Sequence, residues 1–75
     1  MEQKLTEIFA NVFEMNESEI TLDSSINNVE KWSSLMHFKL IAAIEKSFNM
    51  TFEENEFLQL TSFGKIFNIL QEKII

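Results

Sequence analysis

The segment from Trp32 to Phe48 constrains the fold most, because it joins a helix-start signal to a run without glycine or proline. Ser33 is a favourable N-cap residue, whose side chain can accept a hydrogen bond from a backbone N–H of the first turn. Ser34 then falls on the first helical position, near the positive end of the helix dipole, where anions are stabilised. The pattern predicts a helix over residues 34–48. Ser34, the first residue of this helix, is suited to carry a phosphodiester. Helix-start chemistry alone nevertheless favours the interpretation that both serines only cap the helix.

The predicted second helix carries apolar residues around more than half of its circumference, which is typical of a central helix packed on several sides. Its apolar residues are Leu35, Phe38, Leu40, Ile41, Ala42, Ile44 and Phe48. The strip predicted to be exposed comprises Met36, His37, Lys39, Glu45 and Lys46. Asn49 follows, and asparagine suits the left-handed conformation that ends many helices.

Periodic apolar residues predict one helix before this segment and two after it. A first helix is expected over residues 3–15, ending near Asn16, because its apolar residues recur at the spacings i, i+3, i+4, i+7 and i+8. Acidic residues before Phe57 predict a short third helix of about six or seven residues, roughly two turns. A last helix is expected after Thr61 or Ser62, with the stripe Phe63, Ile66, Phe67, Leu70 and Ile74.

A polar segment, residues 16–33, separates the first two predicted helices. Four apolar residues in it, Ile20, Leu22, Ile26 and Val29, predict that it packs onto the core. A faint calcium-loop pattern starting at Asp23 lacks the turn glycine and the bidentate glutamate, so no metal site is predicted. The expected fold is all-α, with residues 1–75 as one domain. It is a small antiparallel four-helix bundle with three main helices, a short third helix and a long loop between helices 1 and 2.

Charge and composition exclude several classes of function. The net charge of −6 argues against partners such as nucleic acid or anionic membranes. The longest apolar run, residues 40–44, is too short for stable membrane insertion. Without cysteine there is neither a disulfide nor a thiol nucleophile, and the N-terminus lacks the pattern of a signal peptide. We expect a cytoplasmic monomer.

A resemblance to the acyl carrier protein family rests on residues from three parts of the chain. Ser33-Ser34-Leu35 is similar to the family pattern Asp-Ser-Leu, and residues 40–48 resemble its aliphatic helix ending in Glu-x-x-Phe. Residues 53–61 resemble the acidic third helix that leads to a Thr-capped fourth helix. With Trp32 before the serines, the chain looks like a free-standing carrier of a specialised pathway.

The resemblance implies a function in lipid metabolism, such as fatty acid biosynthesis, without catalysis by the chain itself. Ser34 would be esterified by 4′-phosphopantetheine, donated by coenzyme A through a phosphopantetheinyl transferase, which makes the chain a phosphoprotein. The arm would present acyl groups as thioesters to acyl-loading and acyl-transferring enzymes. The implied docking residues are Leu35, Met36, His37, Lys39, Glu53, Glu54 and Glu56.

The chain departs from the family pattern at several positions. Ser33 replaces an aspartate often used in transferase docking, and Met36, His37 and Lys39 replace an acidic strip. We therefore expect partners other than those of general fatty-acid synthesis. His37 could pair with Ser34 as a base, but an orienting group and an oxyanion loop are missing, so no catalytic residue is predicted.

Three bulky aromatic residues leave structural and functional alternatives open. Phe38 and Phe57 are expected to pack in the core rather than to line a pocket for acyl chains. Trp32 is expected to plug the edge of the core rather than to anchor a partner. For the whole chain, an aminoacyl or D-alanyl carrier remains an alternative, as does an acidic helical adaptor that binds partners without covalent modification.

Overall fold

The computed structural model describes residues 1–74, which contain four α-helices. These are α1 (Glu2–Phe13), α2 (Ser34–Phe48), α3 (Glu54–Phe57) and α4 (Phe63–Ile74). The predicted all-α bundle, with three main helices, a short third helix and a long first loop, is confirmed. No helix within residues 1–74 combines the length and apolar character needed to cross a membrane.

One face of each long helix forms the core, as the apolar stripes predicted. Phe9 is fully buried, and the centre of its ring lies 5.5 Å from that of Trp32 and 5.0 Å from that of Phe63. Because only 3% of Trp32 is exposed, the prediction that it plugs the edge of the core is confirmed. The other buried apolar residues are Leu5, Ile8, Phe13, Val29, Leu40, Ile41, Ile44, Phe52, Leu60, Ile66 and Leu70.

The end of α1 lies before the predicted position near Asn16. Glu14 adopts the left-handed conformation with φ of 54° and ψ of 48°, so the helix ends at Phe13. The N–H of Met15 then donates to the carbonyl of Ala10 at 3.0 Å, and Met15 packs against the core. The prediction from Asn16, which tolerates the left-handed conformation, was therefore wrong. The packing of Met15 requires the chain to turn earlier.

Backbone hydrogen bonds hold the long loop against the start of α4. The N–H of Ile26 donates to the carbonyl of Thr61 at 3.0 Å, and the N–H of Phe63 donates to the carbonyl of Ser24 at 2.8 Å. Val29 is buried, whereas 56% of Leu22 and 40% of Ile26 are exposed. The prediction that all four apolar residues of the loop pack onto the core is therefore wrong for Leu22 and Ile26.

The two later helices differ in detail from their predictions. Four residues form α3, fewer than expected. Ser62 caps α4, since its Oγ accepts the N–H of Lys65 at 3.2 Å. In the predicted stripe of α4, Ile74 is 42% exposed. At Gly64 a Cβ would lie 3.2 Å from the carbonyl oxygen of Leu22, so the glycine allows close approach of the loop.

Helix α2 has the predicted bounds but a narrower buried face. Asn49 ends it in the left-handed conformation with φ of 53°, as expected. Its buried apolar residues are Leu40, Ile41 and Ile44, whereas 64% of Leu35 and 62% of Phe38 are exposed, and Ala42 is also exposed. The prediction that α2 is covered on several sides is wrong, because the four-residue α3 is too short to cover its first turns.

Candidate functional site

Two adjacent serines have different roles at the N-terminus of α2. Ser33 is the N-cap, since its Oγ accepts the N–H of Met36 at 3.3 Å and its carbonyl accepts the N–H of His37 at 2.8 Å. Ser34 occupies the first helical position and is exposed. Among residues 1–74, no hydrogen bond engages the Ser34 hydroxyl. The predicted cap at Ser33 is confirmed, and Ser34 is left with a hydroxyl that solvent and other proteins can reach.

An apolar groove begins at Ser34. Its volume is about 220 Å³, and it is lined by Ile26, Ser34, His37, Phe38, Phe57, Leu58 and Thr61. Leu58 is 79% exposed, and together with the exposed Leu35 and Phe38 it makes the surface around Ser34 apolar. A group attached to Ser34 would therefore lie beside apolar side chains rather than beside charges.

A second groove runs between α2 and α3 and shares three residues with the first. It measures about 410 Å³ and is lined by Phe38, Ile41, Glu45, Phe52, Glu53, Glu54, Phe57 and Leu58. Glu45 supports its wall, because one of its carboxylate oxygens accepts the N–H of Phe52 at 2.9 Å. Glu45, Glu53 and Glu54 make the rim of this groove acidic, whereas its floor is apolar.

Phe38 and Phe57 form the boundary between the two grooves. Their ring centres are 5.0 Å apart, and Phe57 is half-buried. The prediction that both pack in the core is wrong for Phe38, which is 62% exposed. Sequence reasoning also missed Leu58, which follows the end of α3, and Ile26, in the long loop, as residues of this surface, because isolated apolar side chains are ordinarily assigned to the core.

His37 is buried, so the prediction that it lies on the exposed strip of α2 is wrong. Only 8% of it is exposed, since it lies between Trp32 and Phe57. Its Nδ1 accepts the indole N–H of Trp32 at 3.0 Å, and its Nε2 lies 3.1 Å from the carbonyl oxygen of Phe57. Both ring nitrogens are thus engaged away from Ser34. A tryptophan five residues earlier was the available signal, because a buried indole N–H needs an acceptor.

The other predicted docking residues of α2 lie near Ser34 on the surface. Leu35 and Lys39 are exposed and Met36 is half-buried. Leu35 and Lys39 are four residues apart, so they are neighbours on one face of the helix. An apolar side chain directly after Ser34 and a positive charge one turn later therefore share one face of α2.

The three glutamates at the start of and within α3, Glu53, Glu54 and Glu56, do not share one environment. Glu53 and Glu54 are exposed, whereas Glu56 is half-buried. A carboxylate oxygen of Glu56 accepts the N–H of Glu53 at 2.8 Å, and Lys73 lies 3.0 Å away as an ion pair. The Glu53 N–H and then Lys73 hold the pKa of Glu56 below its usual value. Glu56 therefore has a structural role in α3, and it forms a capping box with Glu53, whereas Glu54 is only exposed.

The polar groups of the long loop point inward to the loop itself. Asn28 accepts the N–H of Ser25 at 2.8 Å through its Oδ1 and donates to the carbonyl of Asp23 at 2.9 Å. Within the described part of the chain, no three Asp, Glu or His side chains are grouped so that they could hold a metal ion.

Comparison with known proteins agrees with this geometry. The profile of the family described as "Phosphopantetheine attachment site" matches residues 3–70, from α1 into α4. A protein named "Acyl carrier protein" from Petrotoga mobilis is 31% identical over 72 residues, which cover 96% of this chain and 85% of the relative. The family match spans the serine pair and every residue that lines the two grooves.

Proposed function

This chain belongs to the family of phosphopantetheine-attachment carrier proteins, and from that premise we propose that it carries acyl groups on an arm esterified to Ser34. The resemblance to acyl carrier proteins and the 4′-phosphopantetheine cofactor are confirmed. When attached, the arm supplies a thiol on which the cargo is held as a thioester. The observation that carries the assignment to Ser34 is its exposed, unengaged hydroxyl on the first turn of a 15-residue helix.

The N-terminus of α2 suits a phosphodiester. The first N–H groups of a helix have no intrahelical partner, and the helix dipole favours negative charge there. The first turn of α2 contains no acidic residue, so no carboxylate within the helix repels a phosphate on Ser34. Ser33 already uses its Oγ as the cap, which is why we assign the arm to Ser34.

We assign partner docking to the apolar surface and the charges around Ser34. The set comprises Leu35, Met36 and Lys39 on α2 with Glu53 and Glu54 on α3. His37 is excluded because it is buried, and Glu56 because it is bound within α3. The partners are a phosphopantetheinyl transferase and enzymes that load and transfer acyl groups. Catalysis belongs to those enzymes rather than to this chain, and the site of action is the cytoplasm.

Acyl cargo is favoured over aminoacyl or D-alanyl cargo by the apolar groove at Ser34 and by the name of the relative. Lys39 replaces an acid of the family's docking strip, which favours a specialised pathway over general fatty acid biosynthesis. The alternative of an adaptor that is never modified has the exposed Leu35 and Phe38 in its favour, because such residues also bind proteins directly.

Intact mass spectrometry tests the proposal. The purified chain is incubated with coenzyme A and a broad-specificity phosphopantetheinyl transferase. Wild type and Ser33→Ala should gain the mass of one phosphopantetheine group, whereas Ser34→Ala should gain none. Absence of any gain would leave the adaptor as the function, and a gain by Ser34→Ala would place the arm elsewhere.

A further inference from the structure

Two hydrogen bonds through His37 connect the segment before α2 to the last residue of α3. The Trp32 indole N–H donates to His37 Nδ1 at 3.0 Å, and His37 Nε2 lies 3.1 Å from the carbonyl oxygen of Phe57. An indole N–H can only donate, and a carbonyl oxygen can only accept. The neutral tautomer with its proton on Nε2 is the form that satisfies both neighbours. These two bonds are called the His37 bridge below.

The His37 bridge connects α2 to the C-terminal end of α3 by a partly buried hydrogen bond, beside the ring contact between Phe38 and Phe57. With four residues, α3 is too short to be stable by its own hydrogen bonds. The Glu45 carboxylate fixes the chain before α3, at Phe52. At its surface, the Glu56–Lys73 ion pair links α3 to α4, and such pairs contribute little. The position of Phe57 therefore depends on His37 more than on α3 itself.

Phe57 and Leu58 line the groove that begins at Ser34, and His37 lines it as well. We infer that His37 is a positioning residue, which sets the Phe57–Leu58 wall relative to Ser34 through its bond to the Phe57 carbonyl. The consequence for carrier function rests on the proposed attachment at Ser34. Loss of the bridge should weaken the encounter of Ser34 with its transferase without changing the chemistry of the transfer.

Three substitutions of His37 separate the two bonds. His37→Gln places an amide N–H near the position of Nε2 and can still donate to the Phe57 carbonyl. His37→Asn places an oxygen near the position of Nδ1 and can still accept from Trp32, while His37→Ala removes both bonds. The chain has one Trp and one His, so the indole N–H and the imidazole each give a single NMR signal.

The unmodified protein provides the first readout. Amide exchange at Phe57 and Gln59 should be roughly 5- to 30-fold faster in His37→Ala and His37→Asn, relative to amides of α1, and near wild type in His37→Gln. The indole N–H signal should keep its hydrogen-bonded position in His37→Asn and lose it in the other two variants. Equal exchange in all four proteins, or a wild-type imidazole protonated on Nδ1, would overturn the inference.

Arm transfer provides the second readout, with coenzyme A and a broad-specificity transferase. The KM for the carrier should rise several-fold in His37→Ala and His37→Asn, with kcat unchanged, and His37→Gln should restore it. One KM for all four proteins would overturn the positioning role at Ser34. If even wild type gains no arm, the proposed function fails, and the exchange pattern alone decides whether His37 positions α3.

Discussion

Replacement of Ser33 separates the capping of α2 from the attachment of the arm. Ser33→Ala removes the Oγ that accepts the Met36 N–H at 3.3 Å. Loss of an N-cap costs about 1 kcal/mol, and this bond is longer than the usual N–H···O distance, so we expect about 0.5–1 kcal/mol. For a domain of this size that lowers Tm by about 2–8 °C. Arm attachment at Ser34 should persist at temperatures where the variant is folded.

Ser33→Asp tests the same position in the opposite direction. Aspartate is an equally good N-cap residue, and its charge beside the helix N-terminus adds about 0.3–1 kcal/mol. Tm should therefore equal or exceed that of wild type. Because aspartate is also the residue that the family pattern has here, the KM of the transferase should fall. Thermal unfolding followed by circular dichroism and a mass time course measure the two effects separately.

Ser34→Ala is the matched control, because it keeps the cap and lacks only the exposed hydroxyl. Its unfolding free energy should lie within about 0.5 kcal/mol of the wild-type value, the usual range for surface substitutions. An unchanged Tm in Ser33→Ala would refute the capping argument. Failure of folded Ser33→Ala to take the arm would refute the division of roles between the two serines, and slower modification of Ser33→Asp would refute the docking argument.

Three further predictions concern charge, backbone conformation and pH. Lys39→Glu should raise kcat/KM of an elongation ketosynthase for the loaded carrier, because rim charges set association rates; Lys46→Glu is the control, and equal values for wild type and Lys39→Glu would contradict it. Glu14→Gly should raise the unfolding free energy measured in urea by about 0.5–1 kcal/mol, because glycine adopts the left-handed conformation of residue 14 without strain. Glu14→Ala should give no increase, and an equal increase in that variant would contradict this reason. Glu56→Gln should flatten the fall of unfolding free energy in acid. The pKa of Glu56 is lowered by a backbone N–H at the start of α3 and by Lys73, so its contribution is complete above the ordinary glutamate pKa and vanishes as pH falls through the lowered value; superimposable pH profiles would contradict this.

Local chemistry made the bounds of α2 predictable from the sequence. Its start depends on the cap at Ser33 and its end on the left-handed Asn49, and both effects act within a few residues. The end of α1 was missed because it depends on tertiary packing. Glu14 takes the left-handed conformation, although asparagine is available at position 16, because the turn brings Met15 onto the core.

The cap at Ser33 was predictable for the same local reason, and the choice of Ser34 for the arm rests on the family resemblance, whereas the surface around the two serines was not predictable. Periodicity identifies the apolar residues of α2 but not what covers them. The four-residue α3 is too short to cover the first turns of α2, so Leu35 and Phe38 remain exposed beside Ser34. His37 was misplaced because its burial depends on Trp32 and Phe57, which both lie outside α2 and do not enter the periodicity of that helix.

The nature of the His37 bridge indicates what it contributes. A buried pair of polar groups adds little net stability compared with apolar groups of the same shape, whereas leaving one of them unpaired is costly. The Trp32–His37 pair therefore adds little stability to this part of the core. It does fix the relative orientation of the groups that it joins, because hydrogen bonds favour particular distances and angles. The Phe57–Leu58 wall beside Ser34 lies at the end of α3, which is too short to be stable by its own hydrogen bonds. The directional bond between His37 and the Phe57 carbonyl fixes the position that packing around so short a helix cannot fix.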